Sequence, residues 1–154
     1  MDNRAFRNAM GKFATGITVI ASEYQGEIHG MTVNAFMSVS LDPKLIAISI
    51  DEKASMYEQL QETKQFGVSV LTEDQQDLSM IFAKQMDADQ AVSFDMRDGV
   101  PVLKDSLATF SCQVKETAKA GDHMIFIAEV TDIQVAEAEP VLYFGGEYRS
   151  LKDK

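Results

Sequence analysis

Leu107-Ala108-Thr109-Phe110-Ser111-Cys112-Gln113-Val114-Lys115-Glu116-Thr117-Ala118 and Met124-Ile125-Phe126-Ile127-Ala128-Glu129-Val130-Thr131-Asp132-Ile133-Gln134-Val135 flank the short turn Gly121-Asp122-His123. Both flanks carry β-branched and aromatic residues in alternation with polar ones, and neither contains proline. That pattern reads as two long antiparallel strands joined by a tight turn. Working back from this hairpin, Phe66-Gly67-Val68-Ser69-Val70-Leu71 and Leu45-Ile46-Ala47-Ile48-Ser49-Ile50 are short apolar runs of buried-strand type. Ile17-Thr18-Val19-Ile20-Ala21 is a further strand, and Tyr24-Gln25-Gly26-Glu27 turns the chain into another at Ile28–Val33. After the hairpin, Val141–Phe144 is a short strand, Gly145-Gly146 turns, and Tyr148-Arg149-Ser150-Leu151 closes the chain.

Helices are few. Phe6, Met10 and Phe13 recur at helical spacing, with Asn3 placed as N-cap and Gly16 as the stop. Met56 and Leu60 mark a second short helix after Lys53-Ala54-Ser55. Thr72 with Gln75 fits a capping box that opens a third through Leu78, Ile81 and Phe82. Residues 86–98 are polar and weakly patterned, which reads as a loop, and Asn34–Pro43 reads as a polar connection closing on a turn signal. Six or more strands joined by short turns, without regular alternation with helices, predict an antiparallel barrel in a mainly β (α+β) chain, not a doubly wound sheet. The whole of 1–154 reads as one domain.

Composition narrows the function. The net charge of −10 opposes binding of nucleic acid and docking on an anionic membrane, both of which need clustered Lys and Arg. No apolar run is long enough to span a bilayer and no signal peptide is evident, so the cytoplasm is the expected compartment. Two histidines and one cysteine are too few for a His/Cys zinc site, and no metal is expected. Cys112 lies in an alternating apolar run and reads as a buried structural thiol. Neither a Gly-x-Gly-x-x-Gly turn nor a phosphate loop of Walker type occurs, so a Rossmann fold is not what would hold a nucleotide.

Four segments carry candidate chemistry. In Gly30–Ser40 the polar Thr32, Asn34, Ser38 and Ser40 are interleaved with apolar Met31, Val33, Phe36 and Val39. A flat heteroaromatic ligand needs such a pairing of apolar slot and edge donors, although a plain polar connection has the same composition. Asp51-Glu52-Lys53-Ala54-Ser55 stands at a strand-to-helix junction, where free N–H groups suit a phosphate and Ser55 could equally cap the helix. Phe82-Ala83-Lys84 offers a wall and a cation, or core packing and a solvated charge. His123 at the hairpin turn is free to reach a nicotinamide, or is an ordinary turn residue. Tyr148 is either a ligand-facing aromatic or a closing residue.

Taken together, residues 6–20, His29–Ser40, Leu78-Ser79 with Phe82-Ala83, Gly121-Asp122-His123 with Phe126–Val130, Leu142-Tyr143-Phe144 and Gly146-Glu147-Tyr148 resemble the short-chain flavin reductase family in its order along nearly the whole chain. The similarity is closest to the phenol-hydroxylase reductase branch, among the reductase components of two-component aromatic hydroxylases. The resemblance implies a six-stranded Greek-key split barrel, a homodimer with flavin sites near the interface, and hydride transfer from NADH to FAD or FMN. Reduced flavin would then diffuse to a partner monooxygenase. It further implies that Thr32, Val33, Asn34, Ser38, Val39 and Ser40 meet the isoalloxazine. Asp51, Lys53 and Ser55 would surround the ribityl and phosphate, with Phe82, Ala83 and Lys84 beside them. His123 would take the nicotinamide side as the catalytic candidate, helped by Tyr148. The alternative is a non-catalytic flavin- or haem-binding barrel.

Overall fold

A computed structural model describes residues 1–152. The chain runs α1 (Asn3–Met10), β1 (Thr15–Gly16), β2 (Thr18–Tyr24), β3 (Glu27–Val33), β4 (Phe36–Leu41), β5 (Lys44–Asp51), α2 (Ser55–Thr63) and β6 (Gln65–Val70). A 3-10 turn (Glu73–Gln75) leads into α3 (Gln76–Phe82). Then follow β7 (Phe94–Arg97), β8 (Val100–Leu103), β9 (Ala108–Ala120), β10 (His123–Val135), β11 (Leu142–Phe144) and β12 (Glu147–Arg149).

Seven strands form the main sheet in the order β3-β2-β6-β9-β10-β5-β4, every neighbour antiparallel. The two edge strands, β3 and β4, are consecutive in sequence and separated only by Asn34 and Ala35. Val33 and Phe36 are three residue steps apart and so at most about 11 Å from one another, far less than the width of a flat seven-stranded sheet, so the sheet must curl until its edges meet at that corner. The result is a split barrel with one more strand in its main sheet than the six expected. Its interior is packed by Ile20, Ile46, Ile48, Ile50, Phe66, Val68 and Phe126, with Met56 and Leu60 of α2. The three-stranded sheet β1-β11-β12 lies outside the main sheet, and the hairpin β7–β8 forms a third small sheet.

The predicted long hairpin is present, extended by a residue or two at its turn and broken by bulges near Ile127/Ala128 and Val130/Asp132. The capping box is present too: Thr72 N–H donates to Gln75 Oε1 at 3.0 Å. Elsewhere the structure corrects the sequence reading. Asn34–Pro43 is not a simple connection, because Phe36–Leu41 pairs with β5 as an edge strand. Ser38 and Ser40 interrupt its apolar run and most of the strand is exposed, as at a sheet edge. The loop expected over 86–98 contains β7, whose partner β8 had no strong alternation to reveal it because all four of its residues are buried. The first helix is capped by Asp2, not Asn3, since the Asp2 carboxylate accepts from Arg4 N–H at 2.9 Å, and it ends at Gly11, well before Gly16. Ser55 is the first helical residue of α2 and Ala54 the N-cap, with no side-chain cap bond.

Candidate functional site

Alternation along β5 and β10 sorts their side chains. Ile46, Ile48 and Ile50 of β5 and Phe126 and Ala128 of β10 point into the barrel. The opposite faces therefore carry Ala47, Ser49 and Asp51 beside Ile127, Ile125 and His123, which are direct cross-strand partners. Over part of this outer face sits an open cavity of about 530 Å³. Its floor is Ala47, Ile48, Ser49 and Ile125, and the β3–β4 corner, Asn34-Ala35-Phe36-Met37, forms one side. Met10, Gly11, Phe13 and Thr15 form another, with Tyr143 of β11. Most of the lining is apolar, with polar side chains only at Thr15, Asn34, Ser49 and the Tyr143 hydroxyl. A cavity of this size and composition accepts a flat ring system with a polar edge, so the residues present fit a flavin head.

A larger cavity of about 740 Å³ lies elsewhere, along α3 and residues 86–93. It is lined by Asp74, Asp77, Asp87, Asp89 and Asp105 against a single lysine, Lys104. That charge repels phosphate-bearing ligands, so size does not decide between the two.

Two further clusters flank the smaller cavity. At the end of the floor, His123 is paired with Asp51, one same-face step beyond Ile125 and Ser49. The turn after β5 is tied to the hairpin tip: Glu52 N–H donates to the Asp122 carbonyl at 2.9 Å, and Lys119 reaches both Glu52 and the Tyr57 hydroxyl. Lys119 is held above the usual ammonium range, first by its bond to Glu52 and then by that to Tyr57. Asp51 Oδ1 accepts from Lys53 N–H at 2.9 Å, which shapes the turn and leaves the Lys53 ammonium in solvent. His123 Nδ1 lies 2.8 Å from Asp122 Oδ1. The hydrogen bond to His123 keeps the Asp122 carboxyl below the ordinary carboxylate range. An ionised carboxylate only accepts, so Nδ1 carries the proton and Nε2 is turned away from this bond.

On the other flank, Tyr148 stands opposite Tyr143 across β11–β12, their rings edge-on with centroids 5.5 Å apart. Tyr148 Oη lies 2.9 Å from the Ser79 hydroxyl, and Thr32 Oγ1 donates to the Ser79 carbonyl at 2.6 Å. Phe82 covers Gly30, where a Cβ would come within 2.8 Å of its ring, and meets Phe94 edge-on.

Of the residues singled out by sequence, Asn34 lines the cavity, Asp51 and His123 stand together at one end, and Thr32, Phe82 and Tyr148 gather around α3. Val33 is buried in the barrel core and does not line the cavity. Ser38, Val39 and Ser40 run along edge strand β4 beyond the cavity lining, and Ser55 opens α2. Ala83 and Lys84 are exposed at the end of α3, Lys84 in the left-handed region. Sequence reasoning did not single out Ser49, Ile125, Tyr143 or the residues after α1 as site residues. They meet only through strand register and the packing of β11, which local pattern does not encode.

Comparison with known proteins bears on this geometry. The family described as flavin reductase like domain matches residues 10–152. The NADH-dependent flavin reductase StyB of Pseudomonas fluorescens is 41% identical over 153 residues, covering 96% of this chain and 89% of that one. The solved flavin reductase PheA2 superposes with a TM-score of 0.97 at 55% identity, covering 99% of this chain and 100% of that one. The NADH:FAD oxidoreductase SgcE6 of Streptomyces globisporus C-1027, solved in complex with NAD and FAD fragments, gives 0.90 at 32% identity over 97% and 93% of the two chains.

Proposed function

Because this chain belongs to the flavin reductase like domain family, we propose that it transfers a hydride from NADH to FAD or FMN and releases reduced flavin to a separate monooxygenase. The observation that carries the reading is the open, mostly apolar cavity at the β3–β4 corner, with polar side chains at only a few points of its lining, Thr15, Asn34, Ser49 and Tyr143. A flavin held there would supply the redox chemistry, as the acceptor of the hydride. The protein's share is to bind, orient and exclude water.

The Asn34–Met37 corner, Ser49 and Ile125 form the seat for the ring, and Thr32 braces the corner through Ser79. Asp51, Lys53, Ser55 and the uncapped first turn of α2 face the ribityl and phosphate, with Phe82, Ala83 and Lys84 on the α3 side. Val33, Ser38, Val39 and Ser40 shape the strands that carry the corner. His123, with its proton held at Nδ1 by Asp122, presents Nε2 to the nicotinamide carboxamide, and Tyr148 flanks the same ligand. His123→Ala should raise the KM for NADH about tenfold, the worth of one hydrogen bond to a ligand. Unchanged kinetics in that variant remove the role.

Residues 1–154 act as one flavin reductase domain, and the match over 10–152 supports this. The protein works as a homodimer. Phe6, Met10 and Phe13 around α1, and Met37, Val39 and Leu41 on β4, are exposed apolar side chains of a kind that a second copy would cover. Sedimentation as a monomer at micromolar concentration would overturn that assignment. No helix among the described residues is long and apolar enough to cross a membrane, and the acidic chain suits the cytoplasm.

The decisive experiment mixes the protein with NADH and either FAD or FMN and follows the nicotinamide absorbance. Rapid loss of NADH that requires flavin supports the reductase. Flavin binding without turnover, or no response at all, refutes it.

A further inference from the structure

We propose that Ser79 is a positioning residue that ties two walls of the cavity together, the corner behind Thr32 and the Tyr148–Tyr143 pair, and through Tyr148 sets the affinity for the reduced pyridine nucleotide. Ser79 sits in α3, is buried to 1% exposure and touches nothing in the cavity itself. It nevertheless connects to two walls. Its carbonyl accepts Thr32 Oγ1 at 2.6 Å as well as Ala83 N–H at 3.1 Å. Thr32 lies two residues before Asn34, which lines the cavity. Its hydroxyl, on the other side, meets Tyr148 Oη at 2.9 Å. Tyr148 in turn braces the ring of Tyr143, its cross-strand partner and a wall of the cavity.

A tyrosine hydroxyl in a half-buried setting needs a partner, and an edge-on ring pair tolerates sliding unless something fixes one ring. The three-stranded sheet β1-β11-β12 cannot fix it alone, since β12 is a three-residue edge strand. The Ser79 hydroxyl supplies the missing constraint from α3. Binding to a wall already held in place avoids the cost of ordering it when ligand arrives. Removing the clamp should therefore weaken ligand binding more than it slows the hydride step.

This inference rests on the reading that the cavity seats a flavin and that Tyr148 flanks the nicotinamide. The test is a double-mutant cycle with NADH as the varied substrate at saturating FAD or FMN. Ser79→Ala and Tyr148→Phe should each raise the KM for NADH roughly three- to tenfold, with kcat changed by less than about twofold. The double variant should be no worse than either single one, because both remove the same bond. A merely structural role would reduce the amount of active enzyme and hence the apparent kcat, leaving KM in place. Tyr148→Phe keeps the ring and leaves Ser79 intact, so it remains informative if Ser79→Ala folds poorly. Tyr148→Ala separates the two levels of the argument. If it raises KM while Ser79→Ala and Tyr148→Phe do not, or if their effects add, the clamp is wrong. If Tyr148→Ala changes no kinetic parameter, the placement of the nicotinamide is wrong as well.

Discussion

Gly67 offers a sharp test of how the β7–β8 hairpin packs on the barrel, because there a single methyl meets backbone. Gly67 lies mid-strand in β6, between Ala21 of β2 and Ser111 of β9. A Cβ built on it would stand 2.0 Å from the Pro101 carbonyl oxygen and 2.8 Å from Val102 Cγ1. Ordinary contact is about 3.4–4 Å, so one of the two backbones must move by more than an ångström. Neither has room to do so. The β6 backbone is bonded on both sides, and β8 is buried along its length, with Leu103 N–H donating to the Ser69 hydroxyl at 2.9 Å. Overpacking costs about 1–3 kcal/mol when side chains can yield, and a backbone clash belongs at or above the upper end. For a chain of 154 residues the unfolding entropy is roughly 0.3 kcal/mol/K, so ~3 kcal/mol lowers the midpoint by about 10 °C. Gly67→Ala should show that loss in a thermal melt followed by far-UV circular dichroism. Gly16→Ala is the control, since nothing lies within 4 Å of a Cβ there, and its melt should match the parent. A Gly67→Ala midpoint within about 2 °C of the parent would show that β8 does not pack backbone-to-backbone on β6.

Two other outcomes follow from the titrating groups. Cys112 is buried in the barrel core and burial pushes its thiol up to about 12. A thiol-specific chromogenic reagent at pH 8 should therefore leave the native protein unlabelled and label one thiol per chain in denaturant, and prompt labelling of the folded protein would contradict the burial. Asp122 has a depressed folded value, so the stability its contact with His123 contributes is present above the unfolded carboxylate value and is lost as the pH falls through the lower folded one. A carbon-detected NMR titration should place Asp122 below an ordinary aspartate in the parent and back in the ordinary range in His123→Ala; an unchanged value would mean that the bond does not form in solution.

Local pattern made much of this molecule readable. The β9–β10 hairpin, the β2–β3 turn at Gln25-Gly26, the Thr72–Gln75 capping box and the mainly β class all follow from side-chain periodicity and turn chemistry, which act over a few residues. Patterning was weakest where a strand's setting was not half-buried. β8 is buried along its whole length and shows no alternation, while β4 is an edge strand and looks like a loop. In both, the environment that decides the strand belongs to other segments.

The amino-acid order by itself therefore determined most of the strands, though not β4, β7 or β8, and the kinds of residue available to a ligand, because those depend on local period and chemistry. Only the tertiary structure decided which of them form a site. The curl that brings β3 to β4, the register that sets Ser49 by Ile125 and His123 by Asp51, and the packing that hangs Tyr148 on Ser79 join residues up to 76 positions apart. Contacts at that separation are chosen by the burial of the whole core, not by any short stretch of chain.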